Sequence, residues 1–247
     1  VPKVVLTEVF RQSGESSIVL NAHLINRGQL PQCNDTDFKF IELTDSALVA
    51  QNIVKLCLAE VNFANNLSLN DVQVLSPMHR LDCGVENLNK LLQTALNPET
   101  VDQEYINGIN QVFRRGDKVM QIRNNYIKNV FNGDIGFIKK IENNTMVVVY
   151  PDIEVSYEQN ELTEIQLAYA MSVHKSQGSE YKVVIMPLIA GHHVMLQRNL
   201  LYTAVTRAKD KVILLGSKAA LNTAVSNDKT KKRYSLLAER LKGDLLN

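Results

Sequence analysis

Apolar positions recur along this chain in two rhythms, one of about 3.6 residues and one of two. Residues 4–6 are a short apolar strand, and Ile18, Val19, Ala22, Leu24 and Ile25 follow helical spacing, with Gly28 placed to stop the helix. Residues 38–43 alternate as a strand. Asp45 or Ser46 then caps a helix reaching about residue 65 through Val49, Ile53, Val54, Leu56, Cys57 and Val61. A strand at 72–75, a polar turn and a helix over 82–95 complete an alternation that predicts a parallel, doubly wound sheet.

The rhythm changes at Gly116. Short strands over 118–123, 135–141, 146–150 and 153–157 are separated by Asn132-Gly133 in a turn and by a hairpin loop at Glu142-Asn143-Asn144. This pattern predicts a small antiparallel barrel. Alternation then resumes, with strands at 168–173, 183–188 and 212–215 and helices at 195–208, 218–225 and 234–242. The reading is an α/β domain formed by residues 1–112 and 161–247, interrupted by a β insertion over 113–160.

Composition adds limits. With 247 residues, 45% hydrophobic and 21% charged, the chain can bury a core of its own. Its 27 Lys and Arg nearly cancel 26 Asp and Glu, so a nucleic-acid partner has to be argued from local charge. Cys33, Cys57 and Cys83 form no C-x-x-C pair and read as reduced, buried residues; no zinc-site spacing is present, and no metal site is expected. No apolar stretch approaches the ~18 residues of a membrane span and no signal segment opens the chain, so no membrane partner and a cytoplasmic location are expected. The chain begins Val1-Pro2-Lys3, which hints at a fragment.

Three polar segments sit at predicted strand ends, where open α/β sheets keep their ligands. In LTEVFRQSGE, residues 6–15, Phe10 offers a stacking face and Arg11 a planar cation suited to phosphate. On spacing alone the plainer reading, a core aromatic and a helix-flanking surface charge, comes first. In SVHKSQGSEYKVVIMP, residues 172–187, a base, an ammonium, hydroxyls, an amide and a carboxylate crowd before a buried strand, more than a solvated turn requires. In RNLLYTAVTRAKDKVILLG, residues 198–216, Thr203, Thr206 and Arg207 lie near one another at helical spacing just before another apolar strand. Arg207 could reach a phosphate, or the segment could be an amphipathic helix ending in charge. Arg114, Arg115, Lys118, Arg123 and Lys128, interleaved with Phe113 and Tyr126, read as a groove for single strands or as a solvated barrel edge. Asp152, Glu154, Glu158, Glu161 and Glu164 have no cation among them and read as a face that avoids DNA.

Taken in order, these segments resemble the second RecA-like domain of superfamily 1 helicases, most closely the RecD-like branch of 5'-to-3' DNA helicases. EVFRQ resembles motif IV, SVHKSQGSEY motif V and LLYTAVTRAKDKVILLG motif VI; VLSPMHR (74–80) and GDKVMQIRNNYIKNVFNGDIG (116–136) also resemble that branch, the latter opening its inserted SH3-like barrel. The resemblance implies a RecA-like parallel sheet with helices on both faces and a role in DNA repair or recombination. It implies Phe10 against adenine, Arg11 on the γ-phosphate, Glu180 on the ribose, Gln177 and Gly178 in the motif V turn, and Arg207 as arginine finger. Ser172, His174, His79 and Arg80 would face DNA, and Arg123 of the basic cluster is read beside them as a DNA contact. Two departures stand out: Ser172 occupies a position where the family commonly has Thr, and Leu81-Asp82-Cys83-Gly84 follows SPMHR, placing a carboxylate where a phosphate would pass.

No G-x-x-x-x-G-K-[ST] occurs in the sequence; LLGSKAAL lacks its first glycine and its ending. ATP and Mg²⁺ would therefore be held mainly by an N-terminal RecA-like domain of the same polypeptide, upstream of Val1, and this chain alone is expected not to hydrolyse ATP. Expected partners are single-stranded DNA, 5'-tailed duplexes and, if the chain is an exodeoxyribonuclease V alpha subunit, the other subunits of a RecBCD-type complex. The competing reading is a non-catalytic module that binds single strands or a protein.

Overall fold

The computed structural model of the protein describes residues 16–61 and 66–228. The expected strand at 4–6, the helix at 234–242, and Phe10 and Arg11 lie outside the described residues.

A five-stranded, all-parallel sheet carries the fold. Its strands are β1 (Phe38–Glu42), β2 (Val72–Ser76), β10 (Ala170–Ser172), β11 (Tyr181–Leu188) and β12 (Ala208–Gly216), in spatial order β1-β12-β11-β2-β10. β2 is buried at every residue and β11 at all but Lys182, the continuous burial expected of a sheet covered on both faces. Helix α1 (Ser17–Asn26) packs on one face with α4 (Arg198–Val205) and α5 (Lys218–Ser226), around Phe38, Leu75, Val184, Met186, Val212 and Leu214. On the other face lie α2 (Ser46–Glu60) and α3 (Val85–Leu96), over Val74, Val183, Ile185 and Ile213. Side-chain caps start three of these helices: Ser16 for α1, Asp45 for α2 and Ser217 for α5 accept from Ile18, Leu48 and Ala220 backbone N–H groups.

Between β2 and β10 the chain forms a hairpin, β3 (Tyr105–Asn107) with β4 (Val112–Arg114), and then a second five-stranded sheet. Its strands are β5 (Lys118–Gln121), β6 (Ile135–Glu142), β7 (Thr145–Val149), β8 (Glu154–Glu158) and β9 (Ile165–Leu167), antiparallel in the order β8-β7-β6-β5-β9. Clean alternation in β7 and β8 sends Met146, Val148, Val155 and Tyr157 inward. The expected hairpin loop is present: Asn143 and Asn144 take φ of 49° and 61°, the pair of left-handed residues that a two-residue turn demands. The strand expected over 168–173 is β10, and β9, just before it, has no counterpart in the sequence reading. In the structure Ile165–Leu167 pairs with β5 and Ala170–Ser172 pairs with β2, so one apolar run serves two sheets.

A buried polar seam bolts the two sheets together. Gln73 on β2 donates from Nε2 to the Ala168 and Tyr169 carbonyls and accepts from Lys118 Nζ at 3.0 Å. Asp117 accepts from Gln93, Asn97, the Arg114 backbone and the Tyr169 hydroxyl, while burial pushes its carboxyl above the usual range. Lys118, placed by the sequence reading in a DNA groove, is instead 1% exposed. The edge of β10 is closed by Asn89, whose amide exchanges two hydrogen bonds with Ala170 (2.8 and 2.9 Å).

Candidate functional site

β10 and β11 are both parallel to β2, so residues 173–180 leave the carboxyl end of β10 and must cross the sheet to enter β11 at its amino end. Ser172 pairs with Ser76, and Val74 pairs with Ile185, so Ser172 lies level with Pro187, six residues beyond Tyr181. At ~3.3 Å per residue the segment descends roughly 20 Å. It does so in turns: Ser176 Oγ donates to the Val173 carbonyl at 2.7 Å, and Gly178 takes φ of +91°. A Cβ at Gly178 would meet nothing within 4 Å, so glycine is required there for backbone conformation and not for space.

Helix α4 descends beside this segment. Val173, His174 and Gln177 face Gln197, Asn199 and Thr203 across a small hollow of about 70 Å³. At the foot of α4, Arg207 is 8% exposed, with Nη1 donating to the Ser179 carbonyl (3.1 Å), Nε to the Thr203 carbonyl (3.3 Å) and Nη2 to Thr206 Oγ1 (3.4 Å). Its own carbonyl accepts from Tyr181 N–H at 2.9 Å. Next to it, Glu180 pairs with Lys209 at 2.8 Å. The clustering of Thr203, Thr206 and Arg207 expected from spacing is therefore present.

The candidates divide between two edges of one sheet. Glu180 and Arg207 sit at the amino ends of β11 and β12, immediately before the apolar strands the sequence places after them. Ser172 ends β10 and is 7% exposed, and His174 follows it, exposed. His79 and Arg80, both exposed, follow the carboxyl end of the neighbouring β2. They line an open groove of about 630 Å³ with Lys90, Gln111, Ile122 and Gln166; Arg123 is the exposed neighbour of Ile122. Leu81 holds φ of +76°, and Asp82, which followed SPMHR as an apparent obstacle to phosphate, accepts from Ser46 Oγ at the start of α2.

The continuous basic groove is corrected. Lys118 and Phe113 are buried, Arg114 pairs with Glu99 (3.2 Å), Arg115 lies 3.8 Å from Glu104, and Lys128 donates to Glu161 (2.6 Å) above the Tyr157 ring. The acidic face is corrected with it, because Lys128 and Lys139 neutralise Glu161 and Glu154. Strand pairing brings distant charges together that linear spacing keeps apart. Cys33 is exposed, whereas Cys57 and Cys83 are buried and their thiols pushed up to about 12 by that burial.

Two contacts escaped the sequence. Lys175 Nζ donates to Asn132 Oδ1 of the barrel at 2.8 Å, and the Ser179 carbonyl receives Arg207. Nothing in linear spacing announces either. Among the described residues no group of three or more His, Cys, Asp or Glu side chains could hold a metal ion, and no helix is long and apolar enough to cross a membrane.

The sheet order, with an antiparallel unit inserted before β10, is a RecA-like α/β fold. A Pif1 helicase from Bacteroides, crystallised with ADP-AlF3 and single-stranded DNA, superimposes with a TM-score of 0.54 at 18% identity, over 98% of this chain and 57% of that one. Residues 88–150 match the "ATP-dependent RecD-like DNA helicase SH3 domain" family, and residues 167–215 match the "UvrD-like helicase C-terminal domain". The ATP-dependent RecD2 DNA helicase of Deinococcus radiodurans is 33% identical over 98% of this chain and 32% of its own length. The RecBCD enzyme subunit RecD of Haemophilus influenzae is 32% identical over 72% of this chain and 26% of its own length. The chain is a C-terminal RecD-like superfamily 1 helicase region, and it spans about a third or less of these two relatives.

Proposed function

We propose that this chain is the C-terminal motor half of an ATP-dependent 5'-to-3' DNA helicase. The observation that carries the reading is the 173–180 segment: it begins beside Ser172, His79 and Arg80 at one edge of the sheet and ends against Arg207 at the other. A segment touching both edges can make the position of one depend on the other. RecD2 and RecD relatives along the chain support the enzyme class.

In this reading Arg207 is an arginine finger that neutralises charge on the transferring phosphoryl group, Glu180 holds the ribose, and Gln177 and Gly178 form the turn between them. Phe10 and Arg11 would supply adenine stacking and a second phosphate cation. The surroundings of Arg207 and Glu180 suit these roles. Carbonyl oxygens and a hydroxyl accept from the Arg207 guanidinium and orient it, and an ammonium holds Glu180. The phosphate cradle and the Mg²⁺ ligands would belong to a first RecA-like domain of the same polypeptide. Bound there, Mg²⁺ would neutralise phosphate charge, and this chain without that domain would be inactive. Ser172, His174, His79, Arg80 and Arg123 would follow a single strand across the carboxyl edge, with partner subunits of the RecBCD type as a further possibility for the assembly.

The test uses the full-length polypeptide. ATP hydrolysis stimulated by single-stranded DNA, with unwinding of 5'-tailed but not 3'-tailed duplexes, is the expected result. DNA binding with no ATP turnover would favour a non-catalytic module.

A further inference from the structure

The loop between β5 and β6, residues 122–134, combines a stapled base with a bare tip. Asn125 and Val130 bridge across it, Asn125 Oδ1 accepts from Lys128 N–H, Asn124 Oδ1 from Asn132 N–H and Asp134 Oδ2 from Phe131 N–H. Asn125 Nδ2 and Lys128 Nζ anchor it outward to Glu164 and Glu161. Above these bonds Tyr126 is 78% exposed and Ile127 98% exposed, with Tyr126 edge-on to Phe131 at 5.9 Å. So many local bonds make the loop a rigid lever and not a floppy connector.

The lever rests on the crossing segment at Lys175 and faces it at Ser179 across a crevice. Lys175 Nζ donates to Asn132 Oδ1, and Ser179 shares an open crevice of about 810 Å³ with Phe131, Gly133 and Asp134. Lys175 is fixed at its other end, its N–H donating to the Ser172 carbonyl at 3.0 Å. Ser179 is the residue whose carbonyl receives Arg207. One segment thus meets the proposed finger through the Ser179 carbonyl, the end of β10 through the Lys175 N–H and the barrel loop through the Lys175 ammonium.

We propose that Lys175 and Asn132 are positioning residues that make the 122–134 loop move with the crossing segment, so that nucleotide bound near Arg207 displaces the Tyr126–Ile127 tip. This rests on the nucleotide reading of Arg207. Lys175 serves because its amphipathic stem spans the gap while its ammonium makes a charge-assisted bond to an amide, firm enough to transmit displacement.

The experiment uses the full-length protein with Cys33→Ser, other exposed cysteines removed, and Ile127→Cys carrying an environment-sensitive fluorophore. Emission is followed while a non-hydrolysable ATP analogue is titrated without DNA. The parent is expected to respond to the analogue, Lys175→Met to lose most of the response while binding the analogue with affinity within about fivefold, the low end of typical coupling. Asn132→Asp, which offers Lys175 a carboxylate in place of the amide oxygen, is expected to retain the response and shows that the loop tolerates substitution. A full response in Lys175→Met, a silent tip in a parent that binds analogue, or loss of response in Asn132→Asp as well as Lys175→Met would each overturn the inference. A parent that binds no nucleotide would instead overturn the reading of Arg207 on which it rests.

Discussion

Lys118 offers a measurable consequence of how the barrel joins the parallel sheet. Its ammonium is 1% exposed, donates to the Leu69 carbonyl (2.6 Å), Gln73 Oε1 (3.0 Å) and the Val72 carbonyl (3.4 Å), and lies 5.8 Å from the Tyr181 ring centroid. Burial pulls it down to about 8. An unfolded lysine keeps its proton to ~10.4, so between these values the unfolded chain binds more protons and stability rises with pH. Integrated from pH 7 to 9, the gain is about 1 kcal/mol. Cys57 and Cys83 act oppositely: their folded thiols stay protonated to about 12, while unfolded thiols ionise near ~8.5. Lys118→Met isolates the lysine, because the thiol contribution is common to both proteins and the ~1–3 kcal/mol per buried acceptor left without a donor is common to both pH values. Urea unfolding of both proteins at pH 7 and 9 should show the parent gaining about 1 kcal/mol relative to the variant. A difference independent of pH would refute the desolvation argument.

Gly178→Ala should cost about 1–2 kcal/mol in urea unfolding, because φ of +91° is strained for any side chain although space is open around it; unchanged stability would show that the turn rearranges. His192 is fully buried in the turn after β11, neither ring nitrogen has a hydrogen-bond partner, and burial pulls it down to about 4. Its unfolded form takes up a proton below ~6.5, so it drains about 3 kcal/mol as pH falls from 6.5 to 4. His192→Leu should remove that portion of the acid sensitivity, measured as the pH dependence of the unfolding midpoint against the parent. Identical acid profiles would place the imidazole in contact with water.

The parallel strands were legible because burial on both faces writes them as unbroken apolar runs, as in VVIMPL before α4 and VILLG at the end of β12. The barrel was legible through alternation and through Asn143-Asn144. The β3–β4 hairpin was missed, although Asn107-Gly108-Ile109-Asn110 carries a turn signal and Asn110 takes φ of 63°. The helix expected over 195–208 is shorter, running from Arg198 to Val205, with a 3-10 turn at Ala190–Met195 ahead of it and β12 already begun at Ala208. The site was legible as residue types and illegible as geometry. Which end of a strand a loop reaches depends on crossover, and the sign of a groove depends on which strands pair. Lys118 illustrates the limit: a cation in a strand reads as surface until the fold supplies carbonyls and an amide to receive it.

The central claim is that Arg207 acts on a nucleotide held against the amino edge of the sheet. In the full-length protein, turnover of ATP stimulated by single-stranded DNA is the measurement, with Arg207→Ala beside the parent. The account predicts nucleotide binding close to the parent's and turnover reduced ~10³-fold or more, the range typical of arginine fingers. Near-parental turnover in Arg207→Ala would contradict it.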